Sequence, residues 1–77
     1  MIQAVLFEND KWQPKEAVRW LLENEHKAND MVVTKEFTKF IQFKTNELNN
    51  DYQTMDVGRG IHFVFSSKRQ QPNLNFA

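Results

Sequence analysis

The sequence predicts a small α+β domain, in which one helix packs on a mostly antiparallel three-stranded sheet in the order strand, helix, strand, strand. Three observations predict it. The chain opens on a stretch apolar at both parities, a stripe at helical spacing follows a proline, and aromatic residues return at period two in two later segments. A length of 77 residues allows one domain and no second. Residues 1–66 are read as that domain and 67–77 as a polar C-terminal tail.

The first strand runs from Met1 to Phe7, with Ile2, Ala4 and Leu6 on one face and Val5 and Phe7 on the other. Apolar residues on both faces suit a strand covered on both sides. Glu8, Asn9 and Asp10 end it, and Pro14 suits the first turn of a helix, where its missing N–H is not needed. Ala17, Val18, Leu21, Leu22 and Glu25 then recur at three- and four-residue spacing, which places an amphipathic helix over 14–25. Trp20 beside this stripe is expected to plug the space between helix and sheet, and Trp12 to staple the helix start. Val32, Val33 and Thr34 begin the second strand region, where Phe37, Lys39, Ile41 and Phe43 share one face and Thr38, Phe40 and Gln42 the other. Lys44 to Arg59 reads as a polar connection with room for a short helical turn. The only two glycines, Gly58 and Gly60, bracket Arg59 and signal a bulge or close backbone approach at the mouth of the last strand. Ile61, Phe63 and Phe65 alternate with His62 and Val64 in that strand. In the tail, Leu74 and Phe76 are available to dock on a neighbour.

Composition narrows the function classes. Ten basic residues balance ten acidic ones, so no overall field drives the chain onto nucleic acid or an anionic membrane. There is no cysteine, which excludes a disulfide scaffold, a thiolate zinc site and a cysteine nucleophile. Seven phenylalanines are a heavy apolar payload for this length, while eight Asn and six Gln make the connecting segments polar. A core of this size rarely supplies more than about 3–5 kcal/mol, so self-association is the expected further source of stability. With no apolar run of spanning length, the chain is read as soluble and intracellular.

Ala4, Val5 and Leu6, then Trp12, Ala17, Trp20 and Leu21, then Thr34, Phe37, Lys39, Phe40 and Gln42, and finally Gly60, Ile61, Phe63 and Val64 form a longer pattern. It resembles a set of short proteins and appended domains of unassigned function encoded by tailed bacteriophages and large DNA viruses. The resemblance spans about residues 2–65 and lies in hydrophobic spacings, not catalytic residues. It implies a viral or phage origin, hence the host cytoplasm, and a strand-helix-strand-strand pattern, but no reaction. This chain departs from the pattern at Glu25, where members often close the helix with glycine, and in the long run from Lys44 to Arg59.

Chemistry-bearing residues are few. His26, His62, Glu23, Glu25 and Asp30 show no metal-ligand spacing; His62 reads as a surface or partly buried structural residue, and His26, in the polar exit of the helix, as solvated. Ser66 and Ser67 follow the last strand without a nucleophile elbow, and Gly58-Arg59-Gly60 runs into a strand where a phosphate cradle needs a helix. The chain is therefore read as noncatalytic, with no metal, cofactor or small-molecule substrate and no membrane partner. The favoured function is protein contact through homo-oligomerisation, on the sheet face away from the helix plus an edge, with Phe40, His62 and Val64 as contact residues. The alternative is single-stranded nucleic-acid binding by Lys39, Phe40, Arg59, Lys68 and Arg69, because residues 31–77 carry six basic and four acidic side chains interleaved with aromatics.

Overall fold

The structure is a computed structural model that describes residues 2–43 and 50–68. Its elements in chain order are β1 (Ile2–Glu8), α1 (Pro14–Glu23), β2 (Met31–Val33), β3 (Phe37–Ile41), β4 (Asn50–Gly58) and β5 (Ile61–Lys68). The strands form one antiparallel sheet in the order β2-β3-β1-β5-β4. The sheet thus has five strands, not the three expected, and two local features account for the difference. Thr34 folds the second strand region back on itself: its N–H and Oγ1 donate to the Phe37 carbonyl at 2.7 and 2.9 Å, and its Oγ1 accepts from the Phe37 N–H at 3.1 Å. That divides it into the hairpin β2–β3. The polar run before Gly58 is not a helical turn in its described part but the edge strand β4, paired with β5 from Asn50↔Lys68 to Gly58↔Ile61. An edge strand can be polar on both faces, so it carries no hydrophobic alternation to read. β5 also continues to Lys68, beyond the expected domain end at residue 66.

β1 lies third in the sheet, between β3 and β5, and its two parities sort the molecule into layers. Val5 and Phe7 point toward α1 and form the core with Ala17 and Leu21 of the helix, Phe40 of β3 and Ile61 of β5. Phe7 sits at its centre, making edge-to-face contacts with Trp12, Trp20 and Phe40 at centroid distances of 5.2, 5.8 and 5.7 Å. Such pairs add about 0.5–1.5 kcal/mol each beyond area burial. Ala17 and Leu21, one turn apart, are the helix's buried contacts. Trp20 is only half-buried and closes the margin of the core, stacking on His26 at 5.8 Å. His26 is likewise half-buried and edge-on to Phe63, not solvated.

The helix begins as its sequence directs, with Pro14 in the first turn and the Gln13 N–H donating to Glu16 Oε1 at 3.0 Å. It ends at Glu23, two residues before the expected end. There the His26 N–H reaches the Leu21 carbonyl at 2.8 Å and the Glu25 N–H reaches the Leu22 carbonyl at 3.3 Å. These are the two bonds of a Schellman motif, and they require a left-handed residue after the Asn24 cap. Glu25 takes that conformation, with φ of 63°. A second left-handed pair, Arg59 and Gly60 with φ of 60° and 77°, makes the two-residue turn of the β4–β5 hairpin. Gly60 is held close: a Cβ there would lie 2.8 Å from Lys11 Cδ and 3.2 Å from Lys11 Cβ.

Glu25 is exposed and takes a left-handed conformation that glycine adopts at less cost. Glu25→Gly is therefore expected to raise stability by about 1 kcal/mol, or the melting temperature by about 4–8 °C. Calorimetry of the two proteins checks this, and an unchanged or lower melting temperature contradicts the Schellman assignment.

Candidate functional site

The side of the sheet opposite α1 carries the second parity of β1: Ala4, Leu6 and Glu8. Register fixes its neighbours, because residues paired across strands share a face. Ala4 lies between Ile41 and Val64, Leu6 between Lys39 and His62, and Glu8 beside Phe37; Val32 and Asp56 extend the Leu6 row to the two edges, and Thr54 extends the Ala4 row. No helix or loop among the described residues packs over this side in the hydrophobic core cluster. Ala4 is fully buried there, and Leu6, Phe37, Ile41 and Val64 are half-buried. The result is an apolar centre of Leu6, Ile41 and Val64 with polar groups around it.

This face carries the Glu8–His62 pair, with Oε2 and Nε2 2.8 Å apart and side chains 27% and 17% exposed. The Phe37 ring meets the imidazole edge-on at 5.4 Å, and Lys11 Nζ lies 3.6 Å from the other Glu8 oxygen. The His62 hydrogen bond holds the Glu8 carboxyl below its ordinary value of 4.5, against an upward push from burial and with help from Lys11. A depression of about 580 Å³ adjoins the pair, lined by Glu8, Asn9, Asp10, Lys35, Glu36 and Phe37. Asn9 in its wall is fully occupied: its Nδ2 donates to the Thr34 and Lys35 carbonyls and its Oδ1 accepts from the buried Thr38 hydroxyl at 2.7 Å. Asn9 therefore ties the end of β1 to the β2–β3 hairpin. No group of three or more metal-ligating side chains occurs among the described residues, and no helix among them is long and apolar enough to cross a membrane.

The residues expected to make contacts separate. His62 and Val64 lie on the face away from the helix, as their alternation with Ile61 and Phe63 requires. Phe40 does not: it is completely buried under α1 against Phe7, because Thr38 and Phe40, not Phe37 and Ile41, are the inward parity of β3. The nucleic-acid set does not converge either. Lys39 stands beside Leu6 on the open face, Arg59 is in the β4–β5 turn, and Lys68 closes β5 at its far end, about 23 Å along the strand from Ile61. Phe40 offers no ring to a base, and Arg69 lies outside the described residues, as do Leu74 and Phe76. The Arg59 carbonyl instead accepts the Trp12 indole N–H at 2.6 Å. Leu6, Ile41 and Phe37 were not singled out by sequence, although the mixed parity of Met1 to Phe7 already demanded something on both faces.

Protein-family models, curated proteins and solved structures were each compared with the chain, and none matches it.

A carboxylate whose folded value is lowered adds stability above its unfolded value and loses it as the pH falls through the folded one. The stability difference between wild type and Glu8→Gln is thus expected to be widest above pH 4.5 and to narrow as acid protonates Glu8. Urea titrations across this range measure it, and a difference that does not change with pH contradicts the Glu8–His62 pairing.

Proposed function

We propose that this is a noncatalytic domain of viral or phage type that acts through protein contacts, by associating with copies of itself on the sheet face that α1 leaves open. The observation that carries the reading is the apolar centre of Leu6, Ile41 and Val64 on that face, with no covering element among the described residues. An apolar sheet face left in water is a site for association.

A second copy suits an apolar centre that lies on the middle strand. A two-fold axis running along β1 between two stacked sheets sets Leu6 of one copy against Leu6 of its partner, an isologous contact. Across the Leu6 row the order is Val32, Lys39, Leu6, His62, Asp56, so the same axis sets Lys39 over His62 and Val32 over Asp56. Five strands about 4.8 Å apart and four to five residues long project roughly 400 Å², about half the 800 Å² per partner of a standard stable interface. Association through this face alone is therefore concentration-dependent.

Light scattering on a size-exclusion column, run as a concentration series, tests the reading. The expected result is a mass that rises above the monomer by tens of micromolar, and that Leu6→Lys returns to the monomer while leaving the circular dichroism unchanged. A wild type that stays monomeric throughout overturns it.

A further inference from the structure

We propose that β2 pairs with β2 of a second copy, antiparallel about a two-fold axis at Val32, so that Met31 of each copy stands opposite Val33 of the other. This goes beyond the open-face reading to a second surface, and it rests on that reading only in taking the partner to be another copy of the chain.

β2 closes the sheet on one side, and the segments that flank it, residues 24–30 and 34–36, are described in full. The Ile41 N–H donates to the Asp30 carbonyl at 2.9 Å and the Thr34 N–H to the Phe37 carbonyl at 2.7 Å, so the even-numbered residues here turn their backbone groups toward β3. An antiparallel ladder alternates, and Met31 and Val33 therefore turn theirs away from the sheet. Those outward groups meet no backbone partner among the described residues. A free edge is a template for another strand, and proteins commonly blunt one with lysine, proline or a bulge. Asp30 to Thr34 contains no lysine or proline, and its register on β3 is unbroken.

The side chains of this edge are apolar and exposed: Met31 49%, Val32 42% and Val33 61%. Met31 and Val33 share the helix side with Phe40 and Thr38, their partners on β3, and Val32 shares the open side with Lys39. Leu22, 63% exposed, adds an apolar shoulder to the same margin. Trp20 reaches Phe63 of β5, and Leu22, about 200° further round the helix, lies on the opposite flank. A second copy fits because the edge is complementary to itself. About an axis perpendicular to the sheet, opposed residues share a face, and the register centred on Val32 sets both outward-facing residues of one copy against those of the other, making four backbone bonds. An axis at Met31 or at Val33 makes only two. The Val32 register also gathers the Met31 and Val33 side chains of both copies on the helix side, and it places Asp30 of each copy opposite Thr34 of the other, so no like charges are directly opposed. Four bonds and so small an apolar patch do not set the mass at tens of micromolar, and the contact is therefore read by trapping it.

The chain has no cysteine, so one thiol can be placed at a time. At a non-hydrogen-bonded antiparallel pair the Cα atoms lie about 4.5 Å apart, within reach of a disulfide. Val32 faces its own image at such a pair, whereas Met31 and Val33 stand about 8 Å from theirs and are out of reach. Under mild oxidation of concentrated protein, Val32→Cys is expected to form a covalent dimer at least about tenfold faster than Lys35→Cys in the exposed β2–β3 turn, with Met31→Cys and Val33→Cys at the Lys35→Cys rate. Random collision gives the reverse order, because Val33 is more exposed than Val32. Adding Val33→Pro to Val32→Cys removes an outward N–H and no bond to β3, so the crosslink is expected to fall to the control rate with the circular dichroism unchanged. Val32→Cys reacting at the control rate, as an edge that takes a foreign strand or none would leave it, overturns the proposal, and so does a crosslink indifferent to Val33→Pro. The open-face axis sets Val32 over Asp56 and cannot produce this crosslink, so the two readings fail separately. A mass indifferent to Leu6→Lys with the Val32 crosslink kept overturns the open-face reading alone, and a mass lowered by Leu6→Lys with Val32→Cys at the control rate overturns the edge pairing alone.

Discussion

Everything in this small fold depends on Phe7, buried in the middle of the central strand with its ring met edge-on by Trp12, Trp20 and Phe40. Those three contacts come from the loop that leaves β1, from the helix and from the neighbouring strand, so one side chain ties together three segments distant in sequence. The Trp12 indole then extends the linkage to the β4–β5 turn through the Arg59 carbonyl, and the Glu8 N–H does the same through the Gly60 carbonyl at 2.8 Å. On the other side of β1, Asn9 fixes the β2–β3 hairpin. The C-terminal end of β1 is thus stitched to both hairpins, while its middle carries the core.

The cost of this arrangement is asymmetry. A ten-residue helix is about 15 Å long and 10 Å wide, and it covers the centre of one side of a sheet about 20 Å across. The other side, and the β4 margin of the helix side, have no internal cover among the described residues. Both uncovered regions are apolar in part and charged in part. The open face follows from the same geometry that makes the core possible, because the residues that alternate with Val5 and Phe7 had to face somewhere.

The sequence made some of this readable and concealed the rest for physical reasons. α1 announced itself through Pro14 and the stripe of Ala17 and Leu21, and β5 through Ile61 and Phe63, because strong periodicity and burial coincide there. Its exit was harder to place because Glu25 occupies a position that glycine usually marks, and the backbone bonds to Leu21 and Leu22 stop the helix without a recognisable residue. The β2–β3 hairpin was hidden because Thr34-Lys35-Glu36-Phe37 contains none of the turn residues that normally signal a reversal. β4 was hidden because an edge strand needs no apolar face. At the candidate site, His62 and Val64 were placed by alternation with confident core residues, whereas Phe40 was misplaced: β3 is apolar at both parities, and only the position of the helix decides which parity is inside.

The central claim is that the sheet's two sides have different fates, one filled by α1 and the other available to a second copy. Methyl chemical shifts recorded from dilute to concentrated solution test it most directly, because methyl groups report from both sides of the same strands. The account predicts concentration-dependent shifts at Leu6, Ile41 and Val64, with Val5, Ala17 and Leu21 unchanged. Shifts confined to the covered side, or none at any methyl across the series, would contradict it.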